Sequence, residues 1–402
     1  MVTTKELTLK IFFSAGEPSG DQHAAGLIRE LQNRSNDLQF EGFGGPEMKE
    51  SGCNLLYLLT DLAVMGFVRV IPMLAQFRRL VIQAEKHFDA SKPDAVVLVD
   101  FPGFNWWIAK AAKKRGIPVF YYMPPQLWAW APWRIRRVRK WVDHVICNLP
   151  FEYEWYKKRN VNAKWVGHPF FDEVAEHQLN QQTLSDIKAN ANGGPVVAVL
   201  PGSRDHEINQ NFSVMLEVLK RVQQAVPDVH FVVGNYKAEH QQVCEQLRAD
   251  LADEVRLNYL TDRTSETIES ADCCLMVSGS ISLELLARKT PGAVLYRITT
   301  FSRFVSRIMM TCPFITLTNL ISEKEVMPEF ISNGNPESDI QKLTGHLIEW
   351  CTNPEQRTAV SDEMAEIASE VAVTRATQRT AEYLVEQLKI QGREAAGEAT
   401  AA

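Results

Sequence analysis

The stretch VLVDFPGFN, residues 97–105, carries an apolar run to Asp100 and then turns through Pro102 and Gly103. A carboxylate in that place is either an ordinary loop residue or a reactive group at the carboxyl edge of a parallel sheet, where open α/β proteins gather their ligands. Two later turns have the chemistry of phosphate binding. In VVAVLPGSRDHEI, Gly202 lets the backbone approach a ligand, Ser203 follows, and Arg204 offers a fork of donors matched to phosphate oxygens. In CCLMVSGSISLELLARKTP, Ser278, Gly279 and Ser280 precede a helix expected to begin near Ile281, whose free amides and dipole favour an anion. Glu284 lies in the first turns of that helix, where a carboxylate can bind a ribose diol. A tight turn with a helix cap explains either stretch alone. Two in the same half of the chain, one with an arginine and one with a glutamate, point to a nucleotide diphosphate.

Other nucleotide signatures are missing. GFGGPEM, residues 42–48, lacks the G-x-G-x-x-G spacing and reads as a turn. There is no P-loop and no D-x-D triplet, so neither a metal nor a cofactor is expected, and Arg204 with the helix dipoles is left to stabilise a leaving diphosphate.

The elements that position these groups follow a βαβ rhythm. LKIFFSAG, LQFEGFGG, DAVVLVD, PVFYYM and HVICNL read as strands of one half, which AKWVGHP closes, and VVAVLPGSR, HFVVGN, VRLNYL, CCLMVSGS and GAVLYRI as strands of a second. Residues 173–194, ending in ANANGGP, have linker composition. Two doubly wound α/β domains, 1–175 and 190–355, are therefore expected. A long amphipathic helical pattern covers 361–391, and the tail 392–402 lacks core formers and is expected to be disordered.

Composition narrows the class. The 402 residues suffice for two cores, and 45% hydrophobic with 23% charged residues is a globular balance. A net charge of -6 argues against bulk nucleic-acid binding. The seven cysteines form no C-x-x-C pair and are odd in number, which suits reduced thiols. With no cleavable apolar leader and no apolar run near the ~20 residues that span a bilayer, a cytosolic protein able to rest on a membrane is expected.

Beyond single motifs, the ordered set SAGEPSGDQHAAGL, GFGGPEMKESG, LAVMGFVRVI, VDFPGFN, PQLWAWAPWRIRRV, LPFE, VGHPFFD, LPGSRDHEI, SGSISLELLARKTP and LTNLISEKEVMPEF resembles the lipid-A-disaccharide synthases. The resemblance implies a GT-B fold, two Rossmann-like domains facing a cleft with the nucleotide on the second. It implies transfer of 2,3-diacylglucosamine from its UDP form to the 6-hydroxyl of 2,3-diacylglucosamine 1-phosphate, giving a β(1→6) bond with inversion. Asp100 then matches the family's essential acid and serves as the base, with Glu17 as orienting group or alternative base. Asn319 is assigned to the sugar-diphosphate region, and Glu329 to the donor side. Asp21 is read as a cap on the helix after Gly20.

Three positions depart from the family pattern: Gly103 in place of a second Asp, Ala131 in place of a basic residue and Ser332 in place of Gln. They bear on substrate preference rather than on reaction class. Acylated substrates give meaning to two further stretches. LAVMGFVRVIPML, with Val64, Met65, Phe67, Val68 and Ile71, is either a lid for acyl chains or a buried helix. YYMPPQLWAWAPWRIRRVRKW sets Trp128, Trp130 and Arg134 among further tryptophans and bases, as for an anionic membrane surface, here the cytosolic face of the inner membrane. Base stacking on nucleic acid and a plain solvated helix are the alternatives. The 361–391 pattern suits either exchange between the subunits of a homodimer or packing on its own N-terminal domain. The rival functions are a UDP-N-acetylglucosamine-dependent GT-B enzyme (a glycolipid N-acetylglucosaminyltransferase or an epimerase), a silent nucleotide-sugar or RNA-binding module, and a nicotinamide dehydrogenase.

Overall fold

The computed structural model describes residues 8–35, 37–63, 70–252, 254–277, 279–298 and 312–401. The chain divides into two compact units, one formed by Met1–Pro169 with Thr374–Ala402 and the other by Phe170–Val373.

The first unit is built on seven parallel strands: β1 (Leu9–Ala15), β2 (Leu38–Gly44), β3 (Asn54–Leu58), β4 (Ala95–Val99), β5 (Val119–Tyr122), β6 (His144–Cys147) and β7 (Ala163–Trp165). Their order is β3-β2-β1-β4-β5-β6-β7. Ile11, Phe13, Val97 and Val99 face one apolar layer while Phe12, Val96, Leu98 and Tyr121 face the other. Burial on both faces is why these strands are nearly unbroken apolar runs. The order reverses between β1 and β4, so the segments following them open the crevice where doubly wound sheets bind ligands.

The second unit repeats the plan with six parallel strands: β8 (Val196–Leu200), β9 (His230–Asn235), β10 (Leu257–Thr261), β11 (Cys273–Met276), β12 (Gly292–Arg297) and β13 (Glu329–Ser332), in the order β10-β9-β8-β11-β12-β13. Its switch point lies between β8 and β11, the strands that lead into the two phosphate-type turns.

Several boundaries differ from the sequence expectation. The span read as a linker holds two helices, Pro169–Glu176 and Gln181–Ala191. Asn180 caps the second by accepting from the Thr183 amide at 3.0 Å, and Ile187 and Ala191 give it a buried side. The helical pattern over 361–391 is broken: one helix, Pro354–Val371, belongs to the second unit and another, Ala376–Ala401, to the first. β-branched Val373 and Thr374 and the positive φ of Arg375 (67°) interrupt it. The last helix packs on its own N-terminal unit through Ala381, Leu384 and Leu388, and the Tyr383 hydroxyl meets His144 Nδ1 at 2.9 Å. It runs through most of the tail expected to be disordered, whose Ala and Glu residues are strong helix formers.

Candidate active site

β4 delivers Asp100 to the first switch point in a constrained backbone. Asp100 and Phe101 both have left-handed conformations, φ 45° and 46°. Each such non-glycine residue costs on the order of 1–3 kcal/mol and persists only where its surroundings hold it. The Asp100 carbonyl accepts from Asn105 Nδ2 at 2.7 Å and from the Tyr121 hydroxyl at 2.8 Å. Gly16, after β1, is required here: a Cβ at that position would lie 2.1 Å from Phe101 Cδ1.

Glu17 occupies the N-cap position of the helix Pro18–Arg34 with β-region backbone and no side-chain capping bond, two residues beyond Ala15, which pairs with Val99. Burial, then the Glu17 charge, push the Asp100 carboxyl up to about 6, against a bond from the Phe101 amide that favours the charged form. A carboxylate tuned this way gives up and takes protons near neutral pH.

Asp21 does not cap its own helix. Its carboxylate accepts from the amides of Gly45 (2.7 Å), Glu47 (2.9 Å) and Met48 (3.2 Å), and so caps the neighbouring helix Pro46–Glu50.

The aromatic stretch splits in two. Trp128 turns inward, and its indole donates to Glu152 Oε1 at 3.2 Å. Burial pushes the Glu152 carboxyl up to about 8 despite that bond, a shift that favours its protonated form. Trp130 and Trp133 are 39% and 62% exposed, and the Arg134 guanidinium stands 4.5 Å from the Trp130 ring centre. Trp107, on the helix Pro102–Lys113, is 56% exposed with Lys110 beside it, a feature the sequence reading missed. Of the proposed lid, Val64, Met65, Phe67 and Val68 lie outside the described residues. Ile71 falls in the helix Val70–Ser91, with its side chain outside the description.

In the second unit, Gly202 has φ 124°, and a Cβ there would crowd Glu207, 2.8 Å from its Cβ. Glu207 is the organising group of this turn and was not singled out from the sequence. It accepts from the Ser203 amide at 3.2 Å and from Arg204 Nη1 at 2.8 Å, aiming the mostly exposed Arg204 at the start of the helix Asp205–Ala225.

At the other turn Ser278 lies outside the described residues. Gly279 stands open, with nothing within 4 Å of an added Cβ, and Ser280 precedes the helix Ile281–Arg288. Glu284 Oε1 accepts from Ser265 Oγ at 2.6 Å and from Arg288 Nε at 2.9 Å, so one oxygen is fixed by two donors.

Asn319 is different from its sequence assignment. It is 0% exposed, its Nδ2 donates to Met327 O (2.7 Å) and Glu329 Oε1 (2.8 Å), and its Oδ1 accepts from the Val326 (2.8 Å) and Met327 (2.9 Å) amides. That is the full capacity of an amide side chain, leaving nothing for a sugar diphosphate. Glu329 likewise accepts from the Ile315 and Thr316 amides and the Thr316 hydroxyl, at 2.8, 2.8 and 2.6 Å. The pair holds the segment Ile315–Glu329 in shape. Among the described residues no group of three or more His, Cys, Asp or Glu side chains is placed to hold a metal.

The chain is similar to known proteins over nearly all its length. The profile of a family described as lipid-A-disaccharide synthetase matches residues 11–386. Lipid-A-disaccharide synthases of Syntrophus aciditrophicus and Idiomarina loihiensis are 31% and 32% identical, covering 92% and 90% of this chain and 96% of each relative. That of Escherichia coli strain SE11 is 30% identical over 92% of this chain and 95% of its own. Among solved structures, S. aureus MnaA in a UDP co-structure aligns with a TM-score of 0.64 at 13% identity, over 95% of this chain and 97% of that one. A UDP-GlcNAc 2-epimerase from Neisseria meningitidis gives 0.60 at 14%, over 94% and 99%, and a trehalose-6-phosphate synthase 0.56 at 12%, over 95% and 99%. The structural likeness concerns fold, two parallel-sheet α/β domains of GT-B type, whereas the sequence likeness runs over nearly the whole chain. On that sequence evidence, the chain belongs to the lipid-A-disaccharide synthase family.

Proposed function

We propose that this chain is a glycosyltransferase that moves 2,3-diacylglucosamine from its UDP form to the 6-hydroxyl of 2,3-diacylglucosamine 1-phosphate. The observation that carries the reading is Asp100, set at the first switch point in a held left-handed backbone and with its carboxyl near 6. As the acceptor oxygen attacks the anomeric carbon, its proton passes to Asp100. The new C–O bond forms on the face opposite the leaving group, and the bond to UDP breaks with its electron pair on the diphosphate. Inversion and a β(1→6) link follow from that single displacement. Glu17 orients the acceptor and keeps Asp100 basic enough at neutral pH.

On the donor side, Arg204, aimed by Glu207, and the amides at the starts of the helices Asp205–Ala225 and Ile281–Arg288 meet the developing negative charge. Glu284 receives the ribose, and Asn319 with Glu329 frames the adjoining segment. No helix among the described residues is long and apolar enough to cross a membrane. Trp107, Trp130 and Trp133, with Lys110 and Arg134 beside them, support peripheral attachment to an anionic bilayer, on the cytosolic face of the inner membrane.

The test is a purified-protein assay with UDP-2,3-diacylglucosamine and the diacyl monosaccharide phosphate, with products identified by mass spectrometry. A disaccharide phosphate and free UDP are expected, with UDP-N-acetylglucosamine a poor donor. Efficient turnover of UDP-N-acetylglucosamine would place the chain with the epimerases or simpler glycosyltransferases.

A further inference from the structure

We propose that Asn105 and Tyr121 are positioning residues that hold Asp100 in its reactive pose and set its spacing from Glu17. Both are fully buried, so neither reaches a substrate. Asn105 sits in the first turn of the helix Pro102–Lys113, and its amide ties together the ends of the two strands that carry the acids. Its Nδ2 shares two hydrogens among Asp100 O at 2.7 Å, Ser14 O at 3.1 Å and Val99 O at 3.3 Å, and its Oδ1 accepts from Ser14 Oγ at 2.7 Å.

Ser14 belongs to β1, which leads to Glu17, and Val99 to β4, which leads to Asp100. From the neighbouring β5, the Tyr121 hydroxyl grips the same Asp100 carbonyl at 2.8 Å, and the Asp100 amide donates to Tyr122 O at 3.4 Å. A backbone in the left-handed region relaxes unless its surroundings over-determine it. Pinning the carbonyl fixes the peptide plane and with it the direction of the Asp100 Cα–Cβ bond. A misplacement of about 1 Å in a reacting group costs roughly 100-fold in rate, so these two bonds act on turnover rather than on affinity.

The inference rests on Asp100 being the base, and its test separates the two. Tyr121→Phe removes one oxygen, Ser14→Ala removes the bond that orients the Asn105 amide, and Asn105→Ala removes the whole tie. Each is compared with wild type and with Asp100→Asn by kcat and donor KM from pH 5 to 9 and by melting temperature. Besides Asp100, the titratable groups around this point are Glu17 after β1, Tyr121 on β5 and Glu152 on the helix Pro150–Lys157.

The expected result for Asn105→Ala is a kcat lower by about 10-fold or more, with a smaller fall for Tyr121→Phe. Donor KM stays within about twofold. The acid limb of the rate profile moves to lower pH as Asp100 drifts from Glu17 toward solvent. A purely structural role would lower the melting temperature and leave the limb in place, and that outcome overturns the proposal. If Asn105→Ala does not fold, Tyr121→Phe and Ser14→Ala decide. Wild-type kcat and limb in those variants, beside an inactive Asp100→Asn, defeat the positioning role alone. An active Asp100→Asn defeats the base assignment itself.

Discussion

Asp100 and Glu17 leave adjacent parallel strands one and two residues beyond the paired positions Val99 and Ala15, and the charge on Glu17 helps keep the Asp100 carboxyl near 6. The proposed division of work between these two acids rests on that coupling. Glu17→Gln removes the second-largest upward push on Asp100, so the acid limb of kcat/KM is expected below its wild-type position near pH 6. Kinetics from pH 4.5 to 8 measure this, and an unmoved limb means that the two carboxyls are uncoupled.

The same tuning costs stability. The folded carboxyl of Asp100 titrates near 6 and the unfolded one near the ordinary 3.8. The folded form therefore holds the proton more tightly, and its stabilising contribution is complete below about pH 4 and lost as pH rises through 6. Asp100→Asn is expected to be more stable than wild type at pH 7.5, by on the order of 3 kcal/mol, while losing turnover. The difference should vanish near pH 4. Melting curves at the two pH values check it.

Glu152 shows the same sign over a wider window. Its carboxyl moves from an ordinary 4.5 to about 8, so the cost of its burial grows between those values and is constant above. Glu152→Gln keeps an acceptor for the Trp128 indole and removes the titration. Its melting advantage should increase from pH 5 to pH 8 and then level off, and an advantage independent of pH contradicts the assignment.

Asn319→Ala leaves the amides of Val326 and Met327 and the carbonyl of Met327 without their side-chain partner. Each buried orphan costs about 1–3 kcal/mol, so a loss of about 3 kcal/mol or more is expected. Activity should fall together with stability in urea melts. Full stability with a raised donor KM would instead indicate direct contact with the donor.

If the proposed attachment to a bilayer holds, Trp107→Ser combined with Trp133→Ser weakens binding to anionic vesicles while soluble-donor affinity is retained. Replacing Lys110 or Arg134 by Gln should reduce the salt dependence, at ~1 kcal/mol per charge. Vesicle sedimentation at two salt concentrations reads both effects.

Much of the architecture was legible because burial on both sheet faces writes long apolar runs into β1, β4, β8 and β11. β3 and β13 were not, since NLLYL and EFIS are short sheet-edge strands with mixed exposure. The acids and the phosphate-type turns stood out by residue type at the ends of such runs. Asn105, Tyr121, Glu152 and Glu207 act through tertiary approach, which no spacing reports. Asn319 shows the converse: residue type cannot reveal that an amide's hydrogen bonds are already taken by backbone. Asp21 likewise caps a helix 24 residues away in sequence rather than its own.

Transfer through Asp100 is tested most directly by wild type and Asp100→Asn with UDP-2,3-diacylglucosamine and the monosaccharide phosphate, following disaccharide by mass spectrometry and donor binding by calorimetry. The expected result is a β-linked disaccharide from wild type, with donor affinity in the variant preserved and turnover reduced by roughly 100-fold or more. Disaccharide formation by Asp100→Asn at close to the wild-type rate contradicts it.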